Sequence, residues 1–419
     1  MNPDTTQRID QLFAAADDKL ARLASLDPLL IDVSLREPCF DSPLGHTLQN
    51  KLELLPMIDA FGIADKVIAT LDYQLEEFPQ VEDDFCRYLR DTGYDMTGCF
   101  ALTAVGQLGP HGFEPDHSEK KLVEYGIPNT MNEIYLLPRD GTVQQMRDRL
   151  TASVDWLRAN LPPEQGKPGR VFMNVVDLID AFFADREYAC AVVAHLATLR
   201  VDALSFEDAR GTYFPFQVGA AAAAAKALLR PDQKLVFHVH AGNGMDNASV
   251  LEALLQGADG YWGGMDRESS TVGHAPVSDL IANLLRAGNE NMRRYKVEHL
   301  LPICHSMHRI NTERESPATW PIQGSNAYRM MLSGFEQVAG RKMDLPAAII
   351  GGVERHRISP VGSDQDVIVA RVQEALGIAI DAKVAVRMIL LMRGDLRDGL
   401  RIHYDEPDKL RQLVQRASQ

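Results

Sequence analysis

From residue 29 onward, short runs of β-branched and aromatic residues alternate with longer stretches that are amphipathic or rich in alanine. The short runs predict strands, and the longer stretches predict helices between them. Repeated strand–helix units imply parallel strands joined by right-handed crossovers, and eight of them favour an α/β fold closed as a TIM (β/α)8 barrel over an open sheet. The predicted strands are LLIDVSL, KVIATL, MTGCFALTA, NEIYLLP, RVFMNVV, DALSF, KLVFHVH and DGYWGG.

The periodicity changes at both ends of this repeat region. Before it, apolar residues from Ile9 to Leu23 recur at helical spacing, and Asp4 or Thr5 is the expected N-cap. After about residue 290 the pattern is helical, with PATWPIQG and SPVGSDQD as loops. We therefore predict three parts, listed in chain order: an N-terminal helix over residues 1–25, a catalytic TIM barrel over 26–295 and a mostly helical C-terminal region over 296–419.

Composition and charge narrow the function classes. The chain has 419 residues, of which 45% are hydrophobic, so it is long enough for one large α/β domain with an appended piece. Its formal net charge is −15, and its Lys and Arg residues are scattered rather than clustered. This distribution offers no basic surface for nucleic acid or for an anionic membrane, so small-molecule substrates are the expected partners.

Cysteine usage and the N-terminus indicate a soluble, cytoplasmic protein. The chain has five cysteines and no CxxC pair, which is typical of reduced thiols. The N-terminus lacks the basic and apolar regions of a signal peptide, and no uninterrupted apolar stretch reaches about 18 residues.

A pair of histidines ends the predicted seventh strand, in KLVFHVH. His238 and His240 alternate along this strand, so their imidazoles point to the same face. In a TIM barrel the C-terminal strand ends form the active site, and the first strand delivers Arg36 and Glu37 to the same rim. Two histidines and a carboxylate, with His274 after the eighth strand, are a ligand set for a divalent transition metal. The alternative for the histidine pair alone is a purely hydrogen-bonding role.

These motifs resemble those of the DRE-TIM metallolyases, which include isopropylmalate, homocitrate and citramalate synthases, 3-hydroxy-3-methylglutaryl-CoA lyase and pyruvate carboxyltransferase domains. The resemblance covers roughly residues 29–290, and DVSLRE and HVH match the family's DxTLRD or DxTLRE and HxHND motifs. It implies that Glu37, His238 and His240 bind a divalent metal (Zn, Mn, Mg, Fe or Co). It also implies that Arg36 stabilises an enolate oxygen.

Two departures from the family motifs lie close to the predicted ligands. HVHAGN replaces HxHND, so Asn243 is the nearest polar substitute for the missing side chains. SSTVGHAP stands where the family reads GxGERAGNA, which places His274 at the position of the family's metal-binding Asn. We therefore predict a Glu/His/His/His set, because imidazole is the stronger donor to a borderline metal. A loop histidine that faces water is the alternative for His274.

The reaction is harder to assign from the motifs. The lyase branch has a catalytic cysteine after strand eight, which GGMDRESSTVGH lacks. The condensing branch has NAF followed by HxSGIH, which PIQGSNAYRMMLSG resembles without its histidine; His305, His308 and His356 are candidates to replace it. We expect four residues to contact substrate, and these are Asp32, Asn243, Asn326 and Tyr328.

The leading interpretation is a Claisen-type condensation of an acyl-CoA with a 2-oxo acid, with CoA use implied by the resemblance alone. Glu207 and Asp208 are the candidate catalytic carboxylates, although such a pair on a barrel rim can equally orient a histidine or face solvent. The alternatives are a lyase or aldolase, and a catalytically silent metal-binding barrel that acts as a sensor or partner-binding protein. The resemblance further implies a homodimer whose helical C-terminal region covers the barrel of the partner subunit.

Overall fold

The structure is a computed structural model that describes residues 3–71, 80–139, 141–330, 332 and 345–419. It divides into two compact units, Met1–Glu315 and Ser316–Gln419. The division falls after the helix Leu300–Thr312, whereas the sequence places a boundary at residue 295.

The first unit is built on a closed barrel of parallel strands. The strands are, in chain order, β1 (Leu29–Asp32), β2 (Asp65–Thr70), β3 (Cys99–Ala104), β4 (Gln107–Gly109), β5 (Gly112–Glu114), β6 (Asn129–Ile134), β7 (Val171–Val175), β8 (Ala203–Asp208), β9 (Lys234–Val239) and β10 (Gly260–Gly263). All except the antiparallel β4–β5 hairpin form the barrel, which closes where β10 pairs with β1. The predicted TIM barrel is confirmed.

Helices connect the barrel strands. They are α1 (Pro3–Ser25), α2 (Glu37–Asp41), α3 (Leu48–Phe61), α4 (Val81–Thr92), α5 (His117–Glu124), α6 (Val143–Asn160), α7 (Leu178–Ala184), α8 (Arg186–Thr198), α9 (Pro215–Leu228), α10 (Asp246–Leu255), α11 (Val277–Arg286) and α12 (Leu300–Thr312). Short 3-10 helices cover Arg267–Ser269, Glu290–Arg294 and Val297–His299. Helix α1 begins before both predicted caps. Helix α5, absent from the prediction, spans only eight residues, too few for a clear periodic pattern.

The barrel interior changes from apolar to polar along its axis. Its buried core contains Ile31, Val33, Val67, Phe100, Leu102, Met131, Phe172, Ala203, Val236 and Trp262. Because side chains alternate along a strand, the inward positions that follow this core on β6 to β9 are Glu133, Asn174, Glu207 and His238. The polar positions therefore lie at the C-terminal strand ends, where TIM barrels place their active sites.

The second unit has a small helical core of its own. Helices Gln365–Leu376, Ala382–Arg397 and Pro407–Ser418 pack their apolar faces together, and a 3-10 helix covers Ala347–Ile350. Two short strands, β11 (Arg329–Met330) and β12 (Arg355–His356), pair in parallel. The predicted mostly helical C-terminal region is thus observed. Among the helices described in the two units, none combines the length and the apolar character that crossing a membrane requires.

Candidate metal-binding site

Three of the predicted ligands meet at the C-terminal end of the barrel. Glu37 begins α2 directly after the β1 turn, His238 lies in β9, and His240 follows that strand. Their donor atoms lie within 4.8 Å of one another. The two histidine Nε2 atoms are 3.2 Å apart, and Glu37 Oε1 lies 3.8 Å from His240 Nε2. The side chains of Glu37 and His238 are almost fully buried.

Hydrogen bonds to the outer ring nitrogens fix the tautomers of the two histidines. His238 Nδ1 lies 2.7 Å from the Trp262 carbonyl oxygen, which can only accept, so Nδ1 carries the proton. His240 Nδ1 lies 2.9 Å from Ser270 Oγ, and the Ser270 hydroxyl donates to Asp41, so this Nδ1 also donates. When both rings are neutral, the two Nε2 atoms present lone pairs to each other. A cation between them removes that repulsion, so the donor set fits a divalent metal.

His274 lies beside this cluster. It forms a β-bridge with His240, and its ring centroid is 5.6 Å from that of His238 and 6.1 Å from that of His240. Its Nε2 is buried and has no hydrogen-bond partner among the residues that the structure describes. A buried nitrogen in that state is costly unless a ligand engages it. The group of donors within 4.8 Å contains Glu37 and the other two histidines but not His274, so its role as fourth ligand stays a prediction.

The electrostatics of the site keep these donors in the protonation states that metal ligands need. Burial lowers the pKa of His238 well below its ordinary value and lowers the pKa of His274 to about 4, so both rings are neutral. Burial raises the pKa of Glu37, but the charge of the adjacent Arg36 guanidinium outweighs it and helps to bring the value to about 2. The site therefore combines a carboxylate with neutral imidazoles.

Arg36 is held rigidly beside the carboxylate of Glu37. One terminal nitrogen of its guanidinium contacts Glu37 Oε2, and Nε donates to Thr70 Oγ1 at 2.7 Å. The guanidinium also lies over the Phe40 ring, 5.1 Å from its centroid. A buried guanidinium in this position can stabilise negative charge that develops next to the cluster.

A buried ion pair behind Arg36, which the sequence did not indicate, joins the ends of β1 and β2. Lys51 on α3 is fully buried, and its ammonium donates to the Leu35 carbonyl at 2.6 Å and to the Ile68 carbonyl at 3.1 Å. The same ammonium pairs with Glu82 of α4, which accepts the Thr70 backbone N–H at 3.2 Å. Leu35, which precedes Arg36, and Thr70, which accepts a hydrogen bond from Arg36, therefore both contact the Lys51–Glu82 ion pair.

The loop after β9 has a steric reason to differ from HxHND. Gly242 approaches the backbone of the loop after β8 so closely that an added Cβ would lie 1.9 Å from the Arg210 carbonyl oxygen. In the same contact, a Cβ at Gly211 would lie 2.0 Å from the His240 carbonyl oxygen. The aspartate position of the motif therefore has no room for a side chain. Ser270 and Asp41 instead support His240.

The two candidate carboxylates of β8 have different surroundings. Asp208 holds the turn after the strand, because its carboxylate accepts the backbone N–H groups of Thr212 at 3.0 Å and Tyr213 at 2.9 Å. Asn243, which is exposed, donates to the Thr212 carbonyl of that turn at 3.2 Å. Glu207 instead accepts a hydrogen bond from the Asn174 amide inside the barrel. The structure therefore brings Glu207, not Asp208, to the inner face.

Asp32, a predicted substrate contact, is buried and engaged with its own turn. It accepts the Ser34 backbone N–H at 2.9 Å and the Ser34 hydroxyl at 3.1 Å. Ser34 in turn accepts the Met265 N–H at 2.9 Å, which ties the loop after β1 to the loop after β10. Burial raises the pKa of Asp32 to about 7. These contacts position the rim, and the substrate role of Asp32 stays a prediction.

The donor group of Glu37, His238 and His240 does not include the other predicted residues, which lie on α12 or in the second unit. Asn326 and Tyr328 belong to the second unit, where the Tyr328 carbonyl accepts the Arg355 N–H at 2.9 Å. His356, also in that unit, pairs with Glu374. His305 and His308 lie on α12, and His308 is buried against Asp266, with Nδ1 3.0 Å from Oδ1. Substrate contact by Asn326 and Tyr328 stays a prediction.

Comparisons with known proteins agree with the resemblance seen in the motifs. No protein-family model matches the chain. A curated (R)-citramalate synthase of Streptomyces coelicolor is 22% identical over 285 residues, which are 66% of this chain and 51% of that protein. The match therefore spans about half the length of the curated relative.

Solved structures agree in fold. The chain is similar to the hydroxymethylglutaryl-CoA lyase of Pseudomonas aeruginosa, with a TM-score of 0.55 and 12% identity over 70% of this chain and 96% of that one. The chain is also similar to an HMG-CoA lyase of Acinetobacter baumannii that was solved in complex with coenzyme A and 3-methylmalate. The TM-score is 0.50 and the sequence identity 14%, over 69% of this chain and 93% of that one. With the DVSLRE and HVH motifs and the citramalate synthase relative, these likenesses make the chain similar to proteins of the DRE-TIM metallolyase superfamily.

Proposed function

We propose that the protein is an enzyme that catalyses a metal-dependent Claisen-type condensation of an acyl-CoA with a 2-oxo acid. The observation that carries this proposal is the cluster of Glu37, His238 and His240 with the Arg36 guanidinium fixed beside it. The citramalate synthase relative supports the condensation. The coenzyme A named for the A. baumannii lyase structure supports a CoA thioester as the second substrate.

Glu37, His238 and His240 would hold a divalent metal, and we assign the fourth position to His274. A bound divalent metal would polarise the carbonyl of a chelating 2-oxo acid as a Lewis acid. Arg36 is placed to stabilise the oxyanion that develops at the same carbonyl, and Thr70 fixes its orientation. The buried walls around His238 and Trp262 exclude water, which strengthens each of these charge interactions.

Incubation of the metal-loaded protein with acetyl-CoA and a panel of 2-oxo acids tests the proposal. Thiol release that requires both substrates is the expected result, and it can be followed with a thiol-reactive dye. Thiol release without any 2-oxo acid would indicate simple thioester hydrolysis. No thiol release with any member of the panel would contradict the condensation.

A carbon–carbon lyase is the second candidate, and the likeness to HMG-CoA lyases favours it. The same site can run the cleavage, because Arg36 would stabilise an enolate that forms in either direction. Release of a carbonyl product from 3-hydroxyacyl-CoA or 3-hydroxy acid substrates tests it. The third candidate is a catalytically silent barrel that only binds metal. Such a protein would not need a group such as Arg36 to stabilise an oxyanion.

We further propose a homodimer in the cytoplasm, in which the second unit of one subunit is a lid over the barrel of the partner subunit. The five cysteines are all free thiols, which supports a reducing compartment. Asn326 and Tyr328 would then contact substrate from the lid. Light scattering tests the oligomeric state, and subunit mixing tests sharing of the site. Activity recovered when Arg36→Ala subunits are mixed with subunits that lack the second unit is the expected result.

A further inference from the structure

Three inward side chains on β6, β7 and β8 form a hydrogen-bonded layer inside the barrel. Asn174 donates one amide hydrogen to Glu133 Oε1 at 3.0 Å and the other to Glu207 Oε1 at 2.5 Å. Asn174 is fully buried, and each glutamate is 7% exposed. One amide nitrogen therefore bridges two carboxylates in a site that is nearly closed to water.

This layer is continuous with the candidate metal site. Glu207 pairs in register with His238, and the Cα atoms of neighbouring strands are about 4.8 Å apart. Ser205, on the same face as Glu207, accepts the Trp262 indole N–H at 2.8 Å. The Trp262 ring stacks on the His238 ring, with centroids 4.1 Å apart. Glu207 is therefore one strand from a candidate ligand and at the same level of the barrel.

The amide of Asn174 fixes the direction in which Glu207 points. With both hydrogens committed to carboxylates, the amide cannot flip without turning its oxygen against those same carboxylates. Its Oδ1 is buried and has no hydrogen-bond partner among the residues described. Burying an acceptor without a donor carries a free-energy cost. In return for this cost, the Asn174 amide holds the carboxylates of Glu133 and Glu207 in a fixed orientation.

We infer that Glu207 is the catalytic base of the barrel and that Asn174 and Glu133 are its positioning residues. This inference rests on the proposed condensation and selects Glu207 from the two candidate carboxylates of β8. Asp208 is a poorer choice, because its carboxylate accepts two backbone N–H groups of its turn. In the step, a C–H bond of the acyl methyl group breaks and the proton moves to a carboxylate oxygen of Glu207. The electron pair moves to the thioester oxygen and gives an enolate. As the enolate carbon bonds to the ketone carbon of the 2-oxo acid, the thioester carbonyl re-forms, and the π electrons of the ketone move to its oxygen, which takes up a proton. Water then cleaves the thioester to a carboxylate and the free thiol.

Proton transfer can be measured separately from condensation. In D₂O, loss of the methyl signal of acetyl-CoA or of pyruvate in the proton NMR spectrum reports exchange at the carbon that the base deprotonates. We expect wild-type protein to exchange the methyl group of acetyl-CoA, whose C–H bond the base breaks, and exchange of the pyruvate methyl group alone would contradict this step. Glu207→Gln keeps the shape of the side chain and should slow that exchange by roughly 10²- to 10⁴-fold, with an unchanged metal content.

Glu133→Gln is the matched control, since it makes the same isosteric change on the other side of Asn174. It should slow exchange by less than about tenfold, because Glu207 remains as base. Asn174→Ala should slow exchange by an intermediate factor without raising the KM of the thioester. A purely structural role would instead lower the midpoint of thermal unfolding and leave the exchange rate per folded molecule unchanged.

The possible outcomes separate this inference from the proposed function. Exchange that depends on Glu207 without thiol release supports the base and contradicts the condensation. Thiol release that survives Glu207→Gln supports the condensation and overturns the base. Wild-type protein that exchanges neither methyl group, or equal losses in Glu207→Gln and Glu133→Gln, would also overturn it.

Discussion

Lys51→Met removes the ammonium of the buried ion pair behind Arg36 while it keeps most of the side-chain volume. In the variant, Glu82 stays buried without its cation, and the carbonyls of Leu35 and Ile68 lose their donor. Breaking a buried pair by removing one partner costs about 3–5 kcal/mol. The full burial of Lys51 and its three contacts place this pair within that range. We therefore expect a loss of about 3–5 kcal/mol in the free energy of unfolding.

Urea unfolding followed by tryptophan fluorescence measures this loss. Trp156 and Trp262 belong to the barrel unit and Trp320 to the second unit, so a Trp320→Phe background makes the signal report the barrel. The control is the double variant Lys51→Met/Glu82→Gln, in which the new amide still accepts the Thr70 N–H. It should recover at least about 2 kcal/mol, because no buried charge remains unpaired.

Two results would refute this reasoning. A loss below about 1 kcal/mol for Lys51→Met would place the pair among solvent-screened surface bridges. A double variant that is as unstable as the single one would show that the cost comes from packing rather than from an uncompensated Glu82.

Four further predictions concern the site and the two units. Arg36→Ala should keep the metal and slow turnover by a loss of about 2–4 kcal/mol in transition-state stabilisation, whereas Glu37→Ala should lose both metal and turnover. Metal content can be measured by inductively coupled plasma emission spectrometry, and equal metal loss in the two variants would show that Arg36 has a structural role. His274→Ala should lower metal content, and full retention would remove His274 from the ligand set. Burial lowers the pKa of His308, but the hydrogen bond and the charge of Asp266 outweigh burial and raise that pKa above its ordinary value. The stabilisation that the protonated ring provides is therefore complete below about pH 6.5, and it is lost as the pH rises through the pKa of the folded state. His308→Gln should therefore flatten the fall in unfolding free energy above about pH 6.5 in urea titrations, and an unchanged slope would contradict this. A chain that ends at Glu315, after α12, should bind metal without turnover, and full activity in the thiol assay would refute the lid.

The sequence could predict the barrel and the residues that meet at its candidate metal-binding rim because both follow from local patterns. Alternation along one strand is enough to put His238 and His240 on one face. The rule that parallel strands present their C-terminal ends together then brings Glu37 to the same rim. Neither step requires knowledge of which residues oppose each other across strands.

The support around the site could not be predicted, because it depends on register and on contacts between distant segments. Glu133 reads as an ordinary polar residue in NEIYLLP, and Asn174 as a polar interruption in RVFMNVV. They become partners only through the pairing of β6 with β7, where Glu133 lies opposite Asn174. Lys51 likewise lies among apolar residues of α3, and its role depends on the Glu82 carboxylate of the next helix. Glu133 could have been found by assigning alternate residues of every predicted strand to the barrel interior, because this assignment places Glu133 among the inward positions.

The loop in which this chain departs from HxHND lies against the loop after β10. Gly242 has no side chain because the Arg210 carbonyl occupies that space, so the loop after β9 cannot supply a polar group there. The support that His240 needs comes instead from Ser270, in the loop after β10, which is itself held by Asp41 of α2. That same loop after β10 carries His274 back against His240 through a β-bridge. The loop after β10 therefore supplies both the Ser270 hydroxyl that contacts His240 and His274 beside the candidate metal site.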